Sequence, residues 1–119
     1  MKDFKKLLVW QKALDIVELV FKFSESLPSE EKFGIRSQIT RASVSMPSII
    51  AEGSSRDSTK EYAHYLSIAL GSSFELETQL MICNRAKIGN DELNNRIIEE
   101  NQTFQKMLSN FRTKILTNN

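Results

Sequence analysis

The chain has 119 residues, 40% of them hydrophobic and 26% charged, with only 4 Gly and 2 Pro. That is the length of one domain, 1–119, able to bury a core without staples. The composition excludes collagen-like, disulfide-framework and extensively disordered chains. The 16 basic and 15 acidic residues leave a net charge of +1, so bulk charge does not point to a polyanionic partner. A lone Cys83 closes no intramolecular disulfide, which fits a cytoplasmic protein. No apolar run approaches the ~18 residues of a membrane span. The stretch Leu7-Leu8-Val9-Trp10 is too short for a signal-peptide core.

Helical periodicity runs through the chain in four segments. The first covers about 9–27, with a stripe of Trp10, Ala13/Leu14, Val17, Val20/Phe21, Ser24 and Leu27. Pro28 ends it, because proline disfavours helical geometry in the residue before it. Ser29 then offers a cap for a new turn, and Glu30 and Glu31 suit a helix N-terminus. The second helix is expected over 32–52, with Ile35, Ile39, Ala42, Met46, Ile49 and Gly53 on one face. Pro47 inside it predicts a kink rather than a break, and Gly53 suits the position just past the helix end.

The third helix, 58–87, opens with a capping box, Ser58 and Glu61. Its stripe is Tyr62, Leu66, Ala69, Ser73, Leu76, Leu80 and Cys83. Asn90 or Asp91 caps the fourth helix, 91–116, striped by Leu93, Ile97, Asn101, Phe104, Leu108, Phe111 and Ile115. Strand-type alternation is absent, and short connections make neighbouring helices antiparallel. The fold class is all-α, an up-down four-helix bundle. His64, Ile68, Glu75 and Ile82 fall opposite the core stripe of the third helix, and Ile16, Leu19 and Phe23 fall off the stripe of the first. Large exposed apolar patches are rare on monomers, so this surplus predicts a homo-oligomer.

Candidate chemistry is sparse. Glu61-Tyr62-Ala63-His64 matches the E-x-x-H of di-iron bundles, but such a site needs a second copy, and the chain has 1 His. No metal and no cofactor are expected. Cys83 sits on a core stripe, and its one potential base, His64, lies more than five helical turns away. No phosphate loop, dinucleotide fingerprint or nucleophile elbow occurs, so the chain does not read as an enzyme. Trp10 reads as a packing anchor.

From 32 to 51 the only charged residues are Lys32, Arg36 and Arg41, and Arg56 and Lys60 follow. Serines 37, 43, 45, 48, 54, 55 and 58 stand among them. Arg and Ser suit phosphate oxygens, so Lys32, Arg36, Arg56 and Lys60 are candidate nucleic-acid contacts. Helix length separates them into two patches, one at each end of the second helix. Arg41 shares a side of the second helix with Glu52, Ser45 and Ser48, and it is balanced between anion binding and a structural ion pair with a carboxylate of another helix or subunit such as Glu75.

The strings Leu8-Val9-Trp10-Gln11-Lys12-Ala13, Gln38-Ile39-Thr40-Arg41-Ala42-Ser43-Val44-Ser45-Met46-Pro47-Ser48, Ile50-Ala51-Glu52-Gly53 and Ala69-Leu70-Gly71-Ser72-Ser73-Phe74-Glu75-Leu76 resemble the bacterial 23S rRNA intervening-sequence proteins, once labelled S23. The resemblance covers 4 to about 115. It implies an antiparallel four-helix bundle. It further implies homopentameric rings, and kinship with the accessory variability determinant of diversity-generating retroelements, which is implicated in binding nucleic acid and a reverse transcriptase. Matching positions include Trp10, Gln38, Arg41, Ser45, Pro47, Glu52, Gly53, Gly71, Ser72 and Glu75. Thr40 and Ile49 depart from the family's usual Arg and Asn. The reading is a non-enzymatic cytoplasmic oligomer, a pentamer by resemblance, associating with RNA or another nucleic acid through Lys32, Arg36, Arg56 and Lys60. Trp10, Arg41, Glu52, Ile68 and Glu75 are its structural or interface residues. The alternative is a protein-interaction scaffold that binds no nucleic acid.

Overall fold

The structure, a computed structural model, describes residues 3–31 and 34–117. Four helices, α1 (Leu8–Glu25), α2 (Ile35–Ser54), α3 (Thr59–Ala86) and α4 (Asp91–Thr117), follow one another. Short 3-10 turns, Phe4–Lys6 and Ser29–Glu31, precede α1 and α2. Each helix packs on its two neighbours, in the order α1, α2, α3, α4 and back to α1. The result is an up-down bundle 47 × 22 × 20 Å. No described residue lies in a strand.

Local chemistry sets the helix ends. Ser58 accepts the Glu61 backbone N–H at 3.1 Å, as the capping-box spacing predicts. Asn90, rather than Asp91, caps α4 by accepting the Leu93 N–H. Lys87 closes α3 in the left-handed region at φ 59°. Gly89 follows at φ +83°, where a Cβ would stand 2.7 Å from the Phe23 ring. Only glycine lets that turn lie flat on α1. Ser26 ties the same end together, accepting the Asn90 N–H while donating to the Phe23 carbonyl.

α2 differs from expectation at both ends. It starts three residues later than 32, and it runs past Gly53. Gly53 is therefore not a helix terminator. A Cβ there would meet the Tyr65 Cβ at 2.5 Å, so the glycine permits close approach of α2 and α3. The helix continues without interruption through Pro47.

The core stripes of α3 and α4 are as expected, with Tyr62, Leu66, Ala69, Leu76, Leu80, Cys83, Ile97, Phe104 and Leu108 buried. The stripe of α1 is a correction. Ile16 and Phe23, expected outside, are fully buried, and Leu19 nearly so. Leu14 and Phe21, expected inside, are exposed. α1 is rotated so that Val9, Ala13, Ile16, Val20 and Phe23 face the core. The apolar row of Trp10, Leu14, Val17 and Phe21 turns towards α2.

Ser73, Asn94 and Asn101 make the buried side-chain hydrogen bonds that cross between α3 and α4. Ser73 donates to Asn101 Oδ1 at 2.6 Å, and Asn101 Nδ2 returns a bond to the Ser73 carbonyl at 2.9 Å. Asn94 Nδ2 reaches the Leu80 carbonyl. Such a pair fixes the register of the two helices, because sliding either would strand buried donors at about 1–3 kcal/mol each. Glu77 is held between Gln102 and Gln105. The Lys12–Glu100 ion pair at 2.9 Å links α1 to α4.

Candidate functional site

The rotation of α1 creates a groove between α1 and α2. Three recesses follow it from one end of the bundle to the other. The first is apolar, walled by Trp10, Leu14 and Val17 with Val44, Pro47 and Ala51. Phe4 stacks edge-on against Trp10 at 5.2 Å and closes its outer end. The second holds Phe21, Val44, Thr40, Ser45 and Arg41. The third is mixed, walled by Phe21 with Arg36 and Glu25 beside Ser37, Ser24 and Thr40. Leu14, Phe21 and Val44 are 37%, 49% and 41% exposed along this groove.

A second apolar face lies on α3. Ile68 and Ile82 are 42% and 50% exposed, and Glu75 between them is exposed too. Heptad spacing puts the three nearly in line along the helix. Phe74 and Met81 form an exposed row beside them. Sequence reasoning located Ile68, Glu75 and Ile82. It missed the groove, although the uncharged row Trp10, Leu14, Val17, Phe21 was its available signal.

The cations do not form one site. Lys32 lies outside the described residues. Arg36 is half-buried in the third recess with Glu25. Arg56 is engaged within the chain, with Nη2 3.3 Å from Glu52 Oε1 and its guanidinium 4.7 Å from the Tyr65 ring centre. Its Nε is buried without a hydrogen-bond partner. Lys60 is exposed. Arg41 is exposed and makes no ion pair among the described residues. Glu75 likewise has none.

Most of the serines that stand among these cations donate to their own helix. Ser43, Ser45, Ser48, Ser54 and Ser55 bond carbonyls three or four residues back, and Thr40 does the same. Their hydroxyl protons are thus committed to backbone rather than to phosphate. Ile49, where the family pattern has Asn, packs half-buried against the core.

Folding gathers other lysines that the sequence scatters. Arg112 Nε donates to the Ala63 carbonyl, which sets the last turns of α4 beside the first turn of α3. Exposed Lys114 therefore stands at the end of the bundle that holds Lys60, and Lys5 and Lys6 enter at the same end ahead of α1. Asp3, Asp57 and Glu61 are exposed among them.

Glu61 and His64 are both exposed. Among the described residues no three His, Cys, Asp or Glu side chains cluster to hold a metal ion. Cys83 is buried, and α3 is continuous between it and His64. Burial pushes the Tyr62 phenol above its ordinary pKa, keeping it neutral. No described helix is long and apolar enough to cross a membrane.

The model of the 23S rRNA-intervening sequence protein family matches residues 5–110. The chain belongs to this family. The fold agrees. A crystal structure of an S23 ribosomal protein family member of unknown function from Bacteroides thetaiotaomicron superposes with a TM-score of 0.81 at 24% identity, covering 88% of this chain and 98% of that one. At that identity the likeness shows the shared bundle alone. No protein with a curated description matches the sequence.

Proposed function

We propose that this family member is a non-enzymatic cytoplasmic homo-oligomer that associates with RNA or another nucleic acid. The contact is the end of the bundle where α2 passes into α3. The observation that carries the reading is the group of exposed lysines at that end, Lys5, Lys6, Lys60 and Lys114. Asp3, Asp57 and Glu61 among them keep the field of one copy weak. Binding then depends on several copies presenting the same end at once. The exposed apolar residues of the groove and of α3 support assembly, and the family resemblance implies five copies. Burial of the lone thiol far from the lone imidazole supports a role without catalysis.

Counterion release gives the test. Assembled protein is titrated with single-stranded RNA and DNA at rising salt. The logarithm of affinity is expected to fall with the logarithm of salt, by about 0.7 per phosphate contact. The Lys60→Glu/Lys114→Glu protein should bind every sequence more weakly and show a flatter slope at unchanged mass. Absence of binding by assembled protein at low salt would overturn the nucleic-acid reading in favour of a protein-interaction scaffold.

A further inference from the structure

The groove and the α3 ridge lie on one chain, and their heights match position by position. The contact of Gly53 with Tyr65 sets the relative height of α2 and α3. Counting outward from it along antiparallel helices, Ile68 stands level with Ile50, Glu75 with Ser43 and Ile82 with Arg36. Those heights fall in the first, second and third recesses of the groove, in that order. The apolar recess of Trp10, Leu14, Val17 and Pro47 is level with Ile68. The recess that holds Arg41 is level with Glu75, and Arg41 is displaced from Ser43 by only about 3 Å along the axis. Ile82 is level with the recess bounded by Phe21 and Arg36. The ridge residues repeat every ~10 Å, and the recesses follow one another along α2 in the same sequence.

We propose that the groove receives the α3 ridge of a second copy, with Ile68 in the apolar recess and Glu75 paired to Arg41. This rests on the oligomer reading above and specifies its interface. Charge complementarity selects the occupant. Arg41 and Glu75 are opposite charges, both exposed and both without an ion pair among the described residues, each set within apolar surface. Neighbours related by rotation about an axis parallel to the helices keep the heights just described, so the pairing needs no slide. Groove and ridge occupy different helices. A copy can therefore seat one neighbour in its groove while inserting its ridge into another, the head-to-tail arrangement that closes rings.

Charge reversal tests the pairing. Light scattering over a dilution series is run on wild type, Arg41→Glu, Glu75→Arg and the double variant, with circular dichroism to follow the bundle. Both side chains are exposed, so the helical signal should not change. Each single reversal is expected to raise the concentration at which the assembly dissociates by about tenfold or more, since like charges then face each other. The double variant should restore assembly, and an equimolar mixture of the two single variants should associate more tightly than either alone, because every contact between unlike variants is repaired even though a five-membered ring keeps one contact between like variants. Wild type that stays monomeric at every concentration would overturn the oligomer reading and this interface with it. Wild type that assembles while either single variant assembles equally well would overturn only the pairing. Single variants that dissociate but are not rescued by the double change would also overturn it, as would a mixture that associates no better than either single variant alone.

Discussion

Phe104→Ala is expected to destabilise the bundle by about 3–5 kcal/mol, a large share of the ~5–15 kcal/mol typical of a domain. Phe104 is fully buried on the core stripe of α4. Removing its ring deletes both the transfer free energy of the lost atoms and the contacts that lined them. The surrounding side chains are locked in packed helices, and the Ser73–Asn101 pair one turn away resists inward collapse. Urea titration at a fixed protein concentration checks it, because assembly contributes to apparent stability. The midpoint should fall with little change in slope. A loss under about 1 kcal/mol, below the range for a buried Phe, would mean that the site collapses and the core is less constrained than its burial implies.

Gly53→Val should destabilise by about 2–3 kcal/mol, opposite in sign to helix propensity, which favours Val over Gly by a few tenths of a kcal/mol. The hypothetical Cβ lies 2.5 Å from Tyr65 Cβ and 3.2 Å from its Cγ. The nearer atom is fixed to the backbone of α3 and cannot swing aside, so the two helices must part. Parting them loosens Tyr62, which packs in the same place, and Arg56, whose guanidinium stacks on Tyr65. Thermal melting with near-ultraviolet circular dichroism of the tyrosines reads both effects. An unchanged melting temperature would place α2 and α3 further apart than the contact requires.

These residues mark where sequence reading succeeds and fails. α3 and α4 were legible because charge interrupts the rows facing away from the core, whereas the core rows carry none. The opposite side of α3, for instance, carries His64 and Glu75. α1 has two adjacent uncharged rows, one through Val9, Ala13, Ile16, Val20 and Phe23, the other through Trp10, Leu14, Val17 and Phe21. Periodicity gives both the same signal, and only the neighbouring helices decide which faces inward. Gly53 reads from sequence as a terminator because the packing that demands it comes from Tyr65, on the next helix. The ridge Ile68, Glu75, Ile82 was visible as a misfit on a helical wheel. Its relation to Arg41 was not, since that depends on the height at which α2 meets α3. Lys5, Lys6, Lys60 and Lys114 are scattered along the chain and become neighbours at one end only through topology.

Burial of Cys83 on α3 within the core gives the molecule an internal clock. The chain has 1 Cys, so a thiol reagent has a single target and reaches it only when the bundle opens. Under conditions where closing outruns labelling, the modification rate measures the population of open molecules. With reagent in large excess, it measures how often they open. The same readout in a dilution series reports whether assembly slows opening, with no mutation of the protein.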